Sequence, residues 1–422
     1  MRANLSMWTN GKSTGVFLKT LTLLQHRSMW TEWRARAGVR KFMSSSCRFM
    51  SSSCRFMSSS CRFMSSSCRF MSSSCRFMSS SWGPSSCPPW RLLFFGTDQF
   101  AVESLKVLSS SRNSGEGLVE TLEVVTFSPD VPVSRFAQQN CLTLHHWPPD
   151  HVEGEFDVGV VVSFGCLLPE RLINKFPYGI LNVHPSLLPR WRGPAPIFHT
   201  ILNGDEVTGV TVIQILPSRF DTGPILNQER HHIPQCCTAD ELGAALATKG
   251  AHLVINNLID TLRTLPEKIA SKREQGQMGA TFAPKINPPM SWLVWEEQTC
   301  EDVARLYRAI GTRIPLKTLW MGRTIKLLDF VGKCCVSDQR KTPIPGSVCF
   351  VKESGTLAIC CKDGWVGFRT VLLKRRLTAA DFYNGYLHHT FKKNTPDGAA
   401  EGYFVSTTGG TKNLQKRENT TL

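Results

Sequence analysis

Residues 178–196 constrain what this chain can fold into more than any other stretch. An apolar run, Tyr178-Gly179-Ile180-Leu181, reads as a buried strand and leads directly into Asn182-Val183-His184-Pro185. Residues two apart on a strand share a face, so Asn182 and His184 are expected to project together from its C-terminal end. In an open α/β sheet that end borders the crevice where ligands bind. An amide donor beside an imidazole suits acyl chemistry. The amide can hold a developing oxyanion and the imidazole can move a proton. Pro185, Pro189, Pro194 and Pro196 stiffen the following loop, because each ring fixes φ and removes a donor.

The flanking pattern alternates strands with helices. Residues 92–95 predict a short buried strand, and Gly96-Thr97-Asp98 a tight turn into a helix near Phe100. A single glycine without Gly-x-Gly-x-x-Gly argues for a turn rather than a phosphate loop. Residues 122–127 and 156–164 predict further strands, the latter hydrophobic almost throughout, as central parallel strands are. Residues 165–169 lead into a helix near Glu170, and residues 196–203 predict another helix. Residues 208–216 predict a strand, followed by Asp221-Thr222-Gly223 and a strand near Ile225. Residues 238–262 predict one long amphipathic helix capped by Thr238 or Asp240. Together these give a doubly wound, mostly parallel α/β domain ending near Lys285. Residues 268–290 read as a linker. Beyond it come a helix over 299–310 and strand-like runs at 316–320, 324–330, 346–351, 356–361 and 366–373. Their spacing suggests a small β-barrel.

Composition places other features. Residues 1–41 are rich in Arg, Lys, Ser, Thr and aromatics, a mitochondrial transit composition. From Phe42 the heptapeptide Phe-Met-Ser-Ser-Ser-Cys-Arg repeats five times. Three serines per repeat leave no apolar seam, so unfolded low-complexity sequence is expected rather than a coiled coil. Residues 1–97 hold 14 basic residues and one acid; residues 98–290 hold 15 against 20; residues 291–395 hold 17 against 9. An acidic middle followed by a basic segment suggests that the second domain meets a polyanion. Of the 16 cysteines, five belong to the repeat; with vicinal pairs and no Cys-x-x-Cys, reduced thiols and no zinc are expected. No apolar stretch reaches the roughly 18 residues of a membrane span, so no membrane association is expected. His145, His146, His199, His231 and His232 are read as structural.

Residues 179–196, joined to Asp221-Thr222-Gly223, resemble the folate-dependent formyltransferases, and the resemblance extends from about Trp90 to about Phe391. It implies a Rossmann-like formyltransferase domain over 90–285 and an OB-like, tRNA-binding barrel over 286–391. A disordered presequence over 1–89 and a disordered tail over 392–422 would flank them. The implied reaction moves the formyl group of 10-formyltetrahydrofolate to the amine of methionyl-tRNA in the mitochondrial matrix, without a metal and as a monomer. The implied catalytic residues are Asn182 as oxyanion donor, His184 as proton carrier and Asp221 as the support of His184 or of a water, favouring an imidazolium. Ser186, Leu187, Leu188 and Pro189 match the folate-contacting loop, and the turn at 165–169 would help hold the pterin. Arg190 and Arg192 could meet acceptor-stem phosphates or the folate tail; Lys374, Arg375, Arg376, Lys392 and Lys393 are further phosphate candidates. The chain departs from bacterial relatives at 128–135, where a Gly-Arg-rich insertion is replaced by a short segment with one arginine. A formyltetrahydrofolate hydrolase, a nucleotide-sugar formyltransferase and a non-catalytic RNA-binding protein remain alternatives.

Overall fold

Alternating burial along the first strand explains why its sheet is covered on both sides. In β1 (Trp90–Gly96), Leu92 and Phe94 enter one apolar cluster while Leu93 and Phe95 enter another. Each such side chain, fully buried, contributes roughly 1.5–3 kcal/mol. The computed structural model describes residues 86–114, 117–149, 155–217, 219–249, 256–336, 344–388 and 403–406. The expected presequence and repeat, through residue 85, and Lys392 and Lys393 lie outside the described residues.

The first sheet continues with β2 (Val119–Thr126), β3 (Thr143–His146), β4 (Val158–Val162), β5 (Ile180–His184), β6 (Val207–Gln214) and β7 (Ile225–His232). Its spatial order is β3-β2-β1-β4-β5-β6-β7, parallel from β3 through β5 and antiparallel at β6 and β7. The chain moves outward from β1 to β3, then crosses back to β4. That reversal opens a crevice at the C-terminal ends of β1 and β4. Thr97 Oγ1 donates to the Ser163 carbonyl across it at 2.6 Å. This is the doubly wound, mostly parallel sheet expected.

Two elements were not visible in the pattern. β3 is a four-residue edge strand reading Thr-Leu-His-His, with no apolar alternation. The helix Pro132–Gln139 buries only Val133, Ser134 and Ala137. Its Pro132 at the first position is a helix-start signal, but the short segment 128–135 carries no apolar period to support it. The expected helix over 238–262 is not uniformly α-helical, and its residues 250–255 lie outside the described residues. Thr238 does cap Ala239–Ala244 in a reciprocal box with Glu241, but the π-helical turn Ala245–Lys249 follows and the α-helix Asn256–Arg263 comes later. An apolar stripe read at period 3.6 does not register such a local change of period.

The second sheet is antiparallel, in the order β10-β11-β12-β9-β8-β14, with β13 on β12. Its strands are β8 (Leu316–Trp320), β9 (Arg323–Cys334), β10 (Val348–Val351), β11 (Thr356–Cys360), β12 (Trp365–Leu372), β13 (Arg376–Thr378) and β14 (Phe404–Val405). Its two ends approach one another, with the Phe404 amide donating to the Gly346 carbonyl at 2.9 Å. β14 corrects the expectation that everything after residue 391 is disordered. Tyr403-Phe404-Val405 is a short apolar run in a polar tail, and Phe404 is buried against Phe382.

The two sheets belong to one compact unit, residues 79–422, and share one apolar cluster. That cluster runs from Leu92 and Leu181 to Val303, Trp320 and Phe368. The helix Pro196–Asn203 packs on the helix Cys300–Leu306 and on the π-helical turn Tyr307–Gly311. Arg313 donates to Asp240 at 2.9 Å and lies over the Phe198 ring. Both charges are exposed, so the pair itself adds no more than about 1 kcal/mol. Buried apolar contact joins the halves.

Candidate active site

β5 delivers Asn182 and His184 at the end of the parallel strands, as the sequence predicts. Asn182 pairs with Val161 of β4, one residue before the end of that strand. The carboxylate of Asp221 reaches both side chains. Asn182 Nδ2 donates to Asp221 Oδ1 at 3.0 Å, and His184 Nδ1 lies 3.6 Å from the same oxygen. The Gly193 amide donates to Oδ2 at 2.9 Å. All three proposed catalytic side chains therefore meet around one carboxylate.

The imidazole is oriented from its other side. His184 Nε2 lies 2.9 Å from the Trp191 carbonyl oxygen, which can only accept. Nε2 therefore carries hydrogen, and Nδ1, facing Asp221, is the position left to take or hold a proton. The 3.6 Å separation is too long for a good hydrogen bond, so Nδ1 is not committed to Asp221. Asn182 has a second amide hydrogen beyond the one given to Asp221, available for an oxyanion.

Loop 185–196 is held by side chains far away in sequence. Trp191 has φ 62°; its amide donates to Thr281 Oγ1 and its indole to Asp205 Oδ2. The Arg190 guanidinium forms a fork with Asp205 and lies over the Trp191 ring at 4.5 Å. Burial pushes the Asp205 carboxyl up, but hydrogen bonds from Arg190, Asn203 and Trp191 outweigh it and hold the group below the usual carboxylate range. Gly193 has φ 117°, and a side chain there would press on the Ala283 carbonyl, so only glycine closes this turn. Gly223 has a different reason: a Cβ would collide with the Gln214 carbonyl. The glycines of Arg-Gly-Pro and Asp-Thr-Gly thus permit close approaches that bring both loops to the strand end.

Other predicted residues divide. Ser186 and Leu188 are buried, with Ser186 Oγ donating to the Arg190 carbonyl, the Leu188 amide to Thr211 Oγ1, and Gln228 Nε2 to the Leu188 carbonyl. Leu187 and Pro189 are half-buried. Arg192 is 4% exposed, and its donors face Gln275 Oε1 at 3.1 and 2.9 Å. It is a buried brace rather than the solvent-facing arginine that the expected contact with phosphate or with the folate tail calls for. Lys374 and Arg375, between β12 and β13, and Arg376, at the start of β13, are exposed, with Arg376 on Asp329. No group of three potential metal ligands occurs among the described residues.

Several site residues carried no sequence signal. Asp205, Gln275 and Thr281 contact the loop, but nothing near them in sequence marks them. The segment read as a linker lies along the loop, with Thr281 and Ala283 exchanging main-chain hydrogen bonds with Pro189, Arg192 and Ala195. Phe95, Phe127, Trp147 and Phe164 form an aromatic cluster at the crevice end of β1 to β4, with Phe127 stacked on Phe164 and 41% exposed. Aromatic residues at or just past the ends of four successive strands would have been the available clue.

Comparison with known proteins follows the same division. Residues 150–258 match the formyl transferase family model, and residues 285–387 match the model of the formyl transferase C-terminal domain. The mitochondrial methionyl-tRNA formyltransferase of Homo sapiens is 54% identical over 340 residues, covering 78% of this chain and 86% of that protein. The methionyl-tRNA formyltransferase of Coxiella burnetii is 31% identical over 322 residues, 70% of this chain and 95% of that one. Among solved structures, the sugar 3N-formyl transferase WlaRD matches with a TM-score of 0.48 at 17% identity, over 68% of this chain and 97% of that one.

Proposed function

The chain belongs to the formyl transferase family, and on that premise we propose that it formylates the amino group of methionyl-tRNA in mitochondria, taking the formyl group from 10-formyltetrahydrofolate. The observation that carries the reading is the convergence of Asn182, His184 and the Gly193 amide on Asp221 at the end of β5. Transfer breaks the bond between N10 and the formyl carbon and forms one to the methionyl nitrogen. The incoming amine loses a proton and N10 gains one. Asn182 gives its second amide hydrogen to the formyl oxygen as negative charge develops there. His184 Nδ1 takes the proton from the nitrogen and can return it at N10, its ring held by the Trp191 carbonyl. Asp221 fixes the Asn182 amide and adds a negative charge near the imidazole. The exposed face of Phe127, stacked on Phe164 at the same sheet edge, suits a flat heteroaromatic ring. Leu187 and Pro189 offer contact surface to the folate, while Ser186 and Leu188 support the loop from beneath.

Residues 90–285 would carry out catalysis and residues 286–391 would bind tRNA, with the basic N-terminal segment serving import. The excess of 17 basic over 9 acidic residues in 291–395 supports that division. Lys374 and Arg375 are the leading phosphate contacts, joined by Arg376 when it leaves Asp329. Arg190 can contribute only at the cost of its fork with Asp205. The deciding experiment gives the purified protein 10-formyltetrahydrofolate with methionyl-tRNA, an amino sugar nucleotide or water as competing acceptors. Formylmethionyl-tRNA should dominate. Formate release without transfer would instead identify a hydrolase, and binding of tRNA without turnover an RNA-binding protein.

A further inference from the structure

Asp221 holds its site together from an unfavourable backbone conformation. Its φ of 53° is left-handed, a region uncommon for residues other than glycine, although aspartate tolerates it better than most. Two carbonyls of its turn, those of Asp221 and Gly223, both accept from Nε2 of Gln275, at 2.9 and 2.7 Å. The other end of the same amide, Oε1, accepts from Nε and Nη2 of the buried Arg192. Arg192 precedes Gly193, whose amide donates to the Asp221 carboxylate. The contacts close a ring: Asp221 carboxylate, Gly193, Arg192, Gln275 and back to the Asp221 carbonyl. The Gln275 main chain is tethered in turn, since Arg273 exchanges two hydrogen bonds with Ile225 at 2.9 and 2.7 Å.

Only a primary amide of this length supplies what the ring needs. It must offer two hydrogens to the pair of carbonyls and an acceptor to the guanidinium. Glutamate would keep the acceptor but place a carboxylate against two carbonyl oxygens. Leucine would keep bulk and lose both ends. Asparagine is one methylene shorter.

We propose that Gln275 is a positioning residue for the transfer reaction, holding Asp221 in the left-handed turn that aims its carboxylate at Asn182 and His184. This rests on the reading that Asp221 serves formyl transfer. The test uses the full chain and compares Gln275→Leu, Gln275→Glu, Asp221→Asn and the double variant Asp221→Asn/Gln275→Leu. Single-turnover formylation, the two KM values and thermal melting are measured for each. Both Gln275 variants should lose roughly 10–10²-fold in single-turnover rate, the range for a displacement of about 1 Å. The KM values for folate and tRNA should stay within about twofold, because the loss falls on the transfer step. The double variant should be no slower than Asp221→Asn alone, since Gln275 acts through Asp221. A role in packing alone predicts the reverse: Gln275→Glu, able to form an ion pair with Arg192, should then transfer at the wild-type rate. That result, or losses that multiply in the double variant, overturns the proposal. If Gln275→Leu does not fold, Gln275→Glu decides the question alone. A wild-type rate in Asp221→Asn would instead overturn the reading of the site itself and this inference with it.

Discussion

At the scale of single residues, the site is an economy of hydrogen-bond capacity. Asn182 gives one amide hydrogen to Asp221 and, on the proposed reading, the other to the reaction; His184 commits Nε2 to the Trp191 carbonyl and leaves Nδ1 for the proposed proton transfer. Asn182→Ala should therefore cost on the order of 10²–10³ in single-turnover rate, as for loss of one oxyanion donor. His184→Ala should cost roughly 10²–10⁴. Folate binding, measured by titration, should stay close to wild type in both; near-normal transfer by His184→Ala would remove it from the mechanism. Asn182 and His184 could be read from the sequence because they are two residues apart at the end of an apolar strand, where period and chemistry coincide. Asp221 needed the resemblance of its Asp-Thr-Gly to add weight to an otherwise ordinary turn. Gln275 could not be found, because its partners Asp221 and Arg192 lie 54 and 83 positions away in a polar segment. Arg192 was misjudged for the same reason: an arginine in a loop looks solvated until the segment that buries it is in place.

At the scale of elements, segments with a strong period appeared where expected and those defined by tertiary contact did not. The strand runs in both sheets and the helix Pro196–Asn203 follow from apolar spacing and proline punctuation. β3, the π-helical turn Ala245–Lys249 and β14 do not, since each is too short or too irregular to set a period. β14 shows how much such an element can matter. Phe404 is fully buried beside Phe382, its amide joins the edge at Gly346, and Ser406 Oγ accepts from the Trp295 amide. Phe404→Ala should destabilise the protein by about 3–5 kcal/mol. The corresponding fall in melting temperature is on the order of 10 °C, with transfer activity retained below the transition. An unchanged melting curve would mean that β14 contributes nothing to the stability of the second sheet.

For the molecule as a whole, charge and connectivity act together. The basic excess lies in the second sheet's part of the chain, while the proposed reacting groups lie in the first. Replacing Lys374 and Arg375 with Ala should lower the log–log salt slope of tRNA binding by roughly one for each lost phosphate contact. Arg376→Ala should lower it less, since that side chain is already on Asp329. An unchanged slope would place the RNA surface elsewhere, with Arg190 next to examine. Phosphate contacts of this kind orient an RNA without reading its bases, so they alone offer no selectivity. The shared apolar cluster supplies something they lack. The helix Pro196–Asn203 starts at the last proline of loop 185–196 and packs on the helix Cys300–Leu306, so the proposed phosphate contacts and the proposed reacting groups belong to one compact unit. On the proposed reading the protein then works as a caliper, its span set by packed apolar contact rather than by a linker. A methionyl-tRNA with one base pair added to its acceptor stem should bind with nearly unchanged affinity yet be formylated about 10²-fold more slowly, its amine carried past the jaw that holds Asn182.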